Sequence, residues 1–387
     1  VHVIVAGGGI GGLAAALALA RRGVASTVVE QAAAFGEVGA GLQLSPNATR
    51  VLFALGLEAR VRAMGFAPEA AEVRDHAGGR LLLRNALGAA AERRWGAPYL
   101  TVHRADLHAA LVRAVAAAGL TEVRLGAEVR KVEAARVSLS TGETLTGDVV
   151  IGADGVRSAV RTALFGPAAP RFTGQIAWRL TAPRWTDGDD LTRVWTGPRR
   201  HFVCYPVRGG ALINVVAVTE ADAWRGESWT EPGDKAALLA AFEGWPKTAL
   251  DLIDAGDHVF RWALYDRPPL AAWSKGRASL LGDAAHPMLP FLAQGAAMAI
   301  EDAAVLARAL TAGDAPEAAL GRYEAARRPR TAKVQAWSRR NARLFHLPSA
   351  PAAAVFGAAS VLDRLTPGGS AARFDWLYGY DALNAPI

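Results

Sequence analysis

Three glycines and one carboxylate stand closest to a definable chemistry. Gly7, Gly9 and Gly12 form G-x-G-x-x-G in "VHVIVAGGGIGGLAAALALARRG", and Glu30 ends the next apolar run, 18 residues beyond the last glycine. In such a loop one glycine makes the turn, one lets the backbone approach a pyrophosphate at a helix N-terminus, and one lets helix and strand pack closely. Glu30 is spaced to hold a ribose hydroxyl pair. The pattern predicts dinucleotide binding without separating FAD from NAD; a tight turn with no ligand is the plainer alternative.

Two further stretches raise the same question. In "LLGDAAHPMLPFLAQGAAMAIEDAAVLARAL" a buried strand stops at Gly282-Asp283, Pro287 and Pro290 stiffen the turn, and a helix opens on Gln294-Gly295-Ala296-Ala297. So little side chain at a helix start leaves free backbone N–H groups, which favour an electron-rich neighbour. In "VVIGADGVRSAVR", Asp154-Gly155 follows a buried strand and Arg157-Ser158 opens a helix. Taken singly, these read as a strand with a capped turn and as a junction whose aspartate caps a helix.

The elements that must position these residues follow from hydrophobic period. Strand, glycine loop, helix and the strand "ASTVVEQ" make a βαβ unit at the start. "SPNATRVLFALGLEARVRAMG" predicts one helix with Ser45 as cap and Pro46 in its first turn, and "VHRADLHAALVRAVAAAG" another with Asp106 as cap. Alternating segments between Gly119 and Gly152 predict a hairpin returning to the sheet. From 172 to 273 β-rich pieces replace helix signals, and Trp178, Trp185, Trp195, Trp224, Trp229, Trp245, Trp262 and Trp273 crowd in, mainly as sheet packing.

The reading is therefore an α/β chain. Residues 1–171 form the first part of a dinucleotide-binding domain, with about 70–100 contributing to the substrate side. Residues 172–273 form an inserted, mainly antiparallel substrate domain. Residues 274–314 return to the first domain, and 315–387 form a helical tail, a candidate homodimer contact.

Composition bounds the function. The single cysteine, Cys204, excludes a disulfide framework or thiolate metal cluster and fits a reducing compartment, the cytoplasm. No basic leader or apolar run of about 18 residues is visible, so neither export nor a membrane span is expected. The net charge of +7 is scattered without a basic tract, which suits a mild field for small anions rather than nucleic acid. Dispersed histidines give no metal site, and Glu301-Asp302 reads as the flank of a helix.

The three motifs in this order resemble the FAD-dependent aromatic hydroxylases with a single Rossmann domain, the salicylate, 3-hydroxybenzoate and 6-hydroxynicotinate hydroxylases among them. The resemblance runs from Val1 through "FDWLYGYDA". It implies a Rossmann-type FAD-binding domain, NADH or NADPH as transient donor, and oxygen insertion into a small aromatic ring through a flavin hydroperoxide. It further implies that Gly7, Gly9, Gly12 and Glu30 hold the ADP half of FAD, and that Arg104 contacts the flavin side. Gly282-Asp283 would meet the ribityl chain, and Asp154 and Gly155 would serve both FAD and the donor. Pro290 would shape the wall, and the N–H groups of Gly295 and Ala296 would face the pyrimidine edge. No second G-x-G-x-x-G follows a strand, which argues against reductases with two dinucleotide domains. Many relatives carry Gly where Ala293 stands.

An activated ring is usually a phenol losing its proton, so a hydrogen-bonding group near its hydroxyl is expected. Candidates are His201, Tyr205, Tyr99 and Gln294. Alternation puts His201, Val203 and Tyr205 on one strand face and Phe202 and Cys204 on the other. The plainer readings are a solvated edge histidine for His201 and a half-buried sheet aromatic for Tyr205; His286 reads as structural. The alternatives in function are a flavin oxidoreductase of a larger polyketide-like ring, a redox-sensing flavoprotein without turnover, and a nicotinamide dehydrogenase without flavin.

Overall fold

Apolar runs without alternation lie at the centre of the molecule. Val3, Ile4 and Val5 are fully buried, as are Val149, Val150 and Ile151, as parallel strands covered on both faces should be. The computed structural model, which describes residues 1–36, 40–184, 190–223, 231–365 and 368–387, places His2–Ala6 in the middle of a five-stranded sheet. Val149–Gly152 and then Ala278–Leu280 lie on one side, Ala25–Val29 and then Thr121–Arg124 on the other. Every pairing is parallel, with Val5 opposite both Ile151 and Val28. Helix Ile10–Ala20 packs against Arg104–Ala118 and Gly295–Leu310. This is the Rossmann-type part of an α/β fold.

A second sheet has eight strands, in the order Glu231–Pro232, Phe260–Asp266, Arg171–Pro183, Leu212–Glu220, Arg200–Val207, Leu191–Gly197, Ala70–Asp75 and Leu81–Ala86. Its pairings are antiparallel except that of Leu191–Gly197 with Ala70–Asp75, which is parallel. Its outer face, with Trp178, Leu180, Phe202 and Cys204, is covered by Leu238, Phe242, Trp245 and Leu252 from the helical segment 235–255. Its inner face carries Ala177, Val218 and Trp262 against Leu289 and Phe291, which belong to the loop before Gly295–Leu310. The substrate sheet thus backs onto the proline turn. The 29-residue helix Pro316–Leu344 runs on through Pro329.

Four local expectations do not hold. The segment after Ser45 is two helices, Pro46–Leu52 and Glu58–Met64, because Gly56 turns left-handed at φ +85° between them. Ser45 does not cap: its hydroxyl donates to Asn47 Oδ1 at 2.6 Å. The next helix begins at Arg104, so Asp106 falls in its first turn and instead accepts from Arg208 at 3.1 Å. Trp273 is not sheet packing; it is buried beside His286 and Tyr323 in the core of the first sheet. Trp185, Trp224 and Trp229 lie outside the described residues.

Candidate active site

The glycine loop is built by close approaches that no side chain would permit. A Cβ on Gly12 would lie 1.9 Å from the Gly7 carbonyl oxygen, and one on Gly7 would lie 2.4 Å from that of Ala153. A Cβ on Gly9 would meet nothing within 4 Å, so the start of helix Ile10–Ala20 is open, and no side chain caps it. Glu30 stands beside the loop, its carboxylate accepting from Gly8 N at 2.8 Å and from Ala32 N at 2.9 Å. His108 is buried, with a ring nitrogen 2.8 Å from the Gly8 carbonyl oxygen. Gly12→Ala is expected to force loop and helix apart, a strain of about 1–3 kcal/mol, and to weaken dinucleotide retention ~10- to 100-fold. Equilibrium dialysis would measure it; unchanged affinity would dissociate the loop from binding.

Adjacent strand ends bring the other two loops to the same edge. Leu281 N donates to the Gly152 carbonyl at 2.9 Å, and Arg161 donates to the Ala284 carbonyl at 3.0 Å, tying the Asp154 loop to the Asp283 loop. Ser158 caps the helix Ala159–Phe165 by accepting from Arg161 N at 2.8 Å. Asp154 accepts from Val160 N through Oδ2 at 3.1 Å, while Oδ1 is buried with no partner among the described residues. Burial raises its carboxyl above the usual range against the hydrogen bonds it accepts. Beside it, Gly155 leaves open space where a Cβ would sit. Asp283 is reached by solvent, yet protein surrounds it closely enough that burial raises its carboxyl against the pull of His286 and Arg104. Gly282 N donates to Asp302 at 3.1 Å.

After the turn Pro290–Leu292, Ala293 adopts φ +53°, a left-handed conformation that costs a side chain about 1–2 kcal/mol. That strain accounts for glycine being the easier residue there. Helix Gly295–Leu310 then begins with no side-chain cap, and a Cβ on Gly295 would have only Met288 Cγ nearby, at 3.9 Å, so the N–H groups of Gly295 and Ala296 are uncrowded. The Gln294 side chain is turned into the protein. Its amide donates to Ser45 Oγ at 2.9 Å and accepts from Asn47 at 3.1 Å, so both ends are engaged.

Behind this turn lies a charge cluster that the reading of Glu301-Asp302 as a helix flank did not foresee. Glu301, Asp302 and Arg327 are all 0% exposed. Arg327 contacts Glu301 at 2.6 Å and Asp302 at 2.7 Å, and Arg330 contacts Glu301 at 2.7 Å. Asn47 donates to Glu301 at 2.6 Å, and His286 Nε2 lies 2.6 Å from Asp302. Burial alone would raise Asp302, but His286 and Arg327 hold it down to about 2. Arg327 bridges the two carboxylates, while their other partners differ, Asn47 and Arg330 for Glu301 and His286 for Asp302.

The inner face of the large sheet supplies the remaining polar groups. His201 is not an edge residue: it is 1% exposed on a central strand, between the rings of Phe291 and Phe345. Its Nδ1 is 2.9 Å from His346 Nε2, and His346 Nδ1 is 2.8 Å from the Glu220 carboxylate. Burial drives His201 well below the usual imidazole range, and His346 adds to this. Tyr205 is buried on the same face, and burial pushes it up to about 12. Burial likewise raises Tyr99, which donates to Gln43. A Cβ on Gly41 would lie 2.5 Å from the Tyr205 ring. Arg104 lies within electrostatic range of both Asp283 and Arg179, joining the strand-end loops to the sheet face. Sequence reasoning missed Asn47, Arg179, Glu220, Arg327 and His346; only Arg179, a lone charge inside "QIAWRL", carried a visible signal.

Comparison with known proteins agrees with this architecture. The family described as "FAD binding domain" matches residues 1–338. The chain is 39% identical to 3-amino-4-hydroxybenzoate 2-monooxygenase of Streptomyces platensis, over 100% of this chain and 97% of that protein. It is 37% identical to 3-hydroxybenzoate 6-hydroxylase 1 of Aquipseudomonas alcaligenes, over 99% and 98%. The crystal structure of Klebsiella pneumoniae HpxO complexed with FAD and uric acid superposes with a TM-score of 0.84 at 26% identity, covering 98% of this chain and 97% of that one. A full-length match of this kind, on a glycine loop and two carboxylate loops gathered at one sheet edge, places the chain in the FAD binding domain family, among the FAD-dependent aromatic-ring monooxygenases.

Proposed function

We propose that this enzyme hydroxylates a small phenolic ring, benzoate-like or heteroaromatic and carrying a carboxylate, with NADH or NADPH as electron donor and O2 as co-substrate, in the cytoplasm. The observation that carries the reading is the hydrogen-bonded chain that leads from the buried His201 through His346 to the partly exposed Glu220, on the sheet face that backs onto the proline turn.

The residues present fit FAD. Open space at Gly9 and Gly155, the unpartnered Asp154 Oδ1 and the solvent-reached Asp283 carboxyl are what a long polar ligand would meet. Gly7, Gly9, Gly12 and Glu30 would hold its adenosine diphosphate half. Asp154, Gly155, Arg104, Gly282, Asp283 and Pro290 would hold the flavin half, with the N–H groups of Gly295 and Ala296 favouring negative charge there. When bound, FAD supplies electron transfer from the nicotinamide and activation of oxygen.

The protein's own task is proton control and dryness. Glu220 accepts best from an N–H, which puts the His346 proton on Nδ1 and leaves Nε2 as an acceptor. His201 then carries its proton on Nδ1, and its Nε2 is the lone pair left for a substrate hydroxyl. The contact of Gln175 Nε2 with His346 Nδ1, at 3.5 Å, would favour the other tautomer but is far weaker than the 2.8 Å bond to a carboxylate. As His201 takes up the phenolic proton on Nε2, its Nδ1 proton can pass to His346 and onward to Glu220, which is partly exposed. Tyr205 and Tyr99, both neutral, are hydrogen-bonding neighbours for the ring. Gln294 holds Ser45 and Asn47 in place.

The test is to follow oxygen uptake and NAD(P)H oxidation by the yellow holoenzyme over salicylate, 3-hydroxybenzoate, 3-amino-4-hydroxybenzoate and 6-hydroxynicotinate. The expected result is stimulation by at least one ring and a product heavier by one oxygen atom. Stoichiometric FAD with no stimulation across the panel would overturn the proposal.

A further inference from the structure

One charge on the inner sheet face, Arg179, has no carboxylate counterpart among the described residues. Strand Arg171–Pro183 sends Ile176, Trp178 and Leu180 outward into an apolar layer and Ala177 and Arg179 inward. The ladder fixes the neighbours of Arg179. One row across the sheet reads Ala177, Val218, His201; the next reads Arg179, Val216, Val203; the next reads Thr181, Asn214, Tyr205. Arg179 therefore stands in the row between His201 and Tyr205, two strands away, with its Cα on the order of 12 Å from either by strand spacing and rise. Trp262 lies beneath its guanidinium, 4.2 Å from carbon to ring centre.

No carboxylate pairs with Arg179 among the described residues, and its Nε is buried without a partner. The groups that act on it are Tyr205 and Arg104. The first is neutral at pH 7, since burial pushes it up to about 12, and the second is a like charge. Burial brings Arg179 down to about 10, still cationic at neutral pH. Arg179 is half-buried as a whole, so covering its guanidinium without an anion would be unfavourable, and covering it with a carboxylate would not. A planar guanidinium is the group best shaped to meet a carboxylate through two parallel N–H bonds.

We infer that Arg179 is the anchor for an anionic substituent of the ring substrate, a carboxylate held on the side of the ring away from the hydroxyl that faces His201. This rests on the functional reading above and adds to it the group that selects acids over neutral rings. No covalent step is involved; the effect is on binding and orientation.

The experiment compares 3-hydroxybenzoate with 3-hydroxybenzamide on FAD-loaded wild type, Arg179→Gln and Arg179→Lys, reading Kd from the flavin absorbance change. Wild type should prefer the acid about 100-fold, the equivalent of a desolvated charge pair. Arg179→Gln should lose that preference through the acid alone, with the amide within about 3-fold, and Arg179→Lys should fall between. Independently of any ring, Arg179→Met should raise the melting temperature of the substrate-free holoenzyme, because it removes a half-buried charge that no carboxylate offsets among the described residues. An acid preference surviving in Arg179→Gln overturns the inference, as does an equal loss for acid and amide. So does a variant whose only change is a raised KM for NAD(P)H, which would assign the anion to the donor's phosphates. Failure of the functional reading looks different: FAD-loaded wild type then oxidises no NAD(P)H with either ring.

Discussion

His201→Asn is expected to lower ring-stimulated turnover by about 10²- to 10⁴-fold, the range general-base groups contribute, while FAD content stays at wild-type level. Asparagine fills much of the same volume and still hydrogen-bonds His346, but it cannot take up a proton. The loss should therefore fall on kcat, with little change in KM for the ring. His346→Gln should cost less, since His201 keeps its lone pair and loses only its fixed tautomer and its outlet to Glu220. The sign of the pH effect follows from burial. His201 is held well below the usual imidazole range, first by desolvation and then by His346; burial also lowers His346, against the pull of Glu220. Wild-type kcat should thus be flat through neutral pH and fall only on the acid side, as His201 protonates. In His201→Asn that acid limb should be absent. A variant that kept both the rate and the limb would remove His201 from the reaction.

The largest expected loss of stability is at Arg327. Two carboxylates and two guanidinium groups balance in the cluster of Glu301, Asp302, Arg327 and Arg330, and three of these side chains are wholly buried. Arg327→Gln leaves one excess buried negative charge, and breaking such a pair from one side costs about 3–5 kcal/mol. The pH dependence is a stricter test. Because Asp302 is depressed to about 2 from 3.8, its contribution is complete above 3.8 and is lost as pH falls toward 2. In Arg327→Gln that depression weakens, so the deficit against wild type should be greatest at neutral pH and shrink in acid. Urea melts at pH 7 and at about pH 2.5, inside the window from 3.8 down to 2, would read both. An equal deficit at the two values would mean that packing, not charge, is what the arginine provides.

What could be seen in the chain and what could not divides by sequence distance. The glycine loop and Glu30 lie within one βαβ unit, where spacing alone constrains geometry, and the FAD fold followed from three loops in a known order. Local capping was less legible. Ser45 and Asp106 are suitable cap residues, but the neighbouring Asn47 and the distant Gln294 take the first side chain and the distant Arg208 takes the second. The partners of the polar groups were invisible. His346 is 145 residues from His201 and Arg327 is 25 from Asp302, and no periodicity links partners that lie on different elements. Gln294 shows the reverse case. Its position beside the helix start suggested chemistry, yet its amide is taken up by Ser45 and Asn47.

The order of elements along the chain also has a temporal meaning. Ala70–Asp75 waits for Leu191–Gly197 as its parallel neighbour, and Val149–Gly152 waits for Ala278–Leu280. Neither sheet is whole until Leu280 has left the ribosome, and the arginines that neutralise Glu301 and Asp302 emerge later still. The vitamin-derived prosthetic group is therefore expected to be captured only after both sheets have closed, and nascent chains stalled before Ala278–Leu280 should emerge colourless.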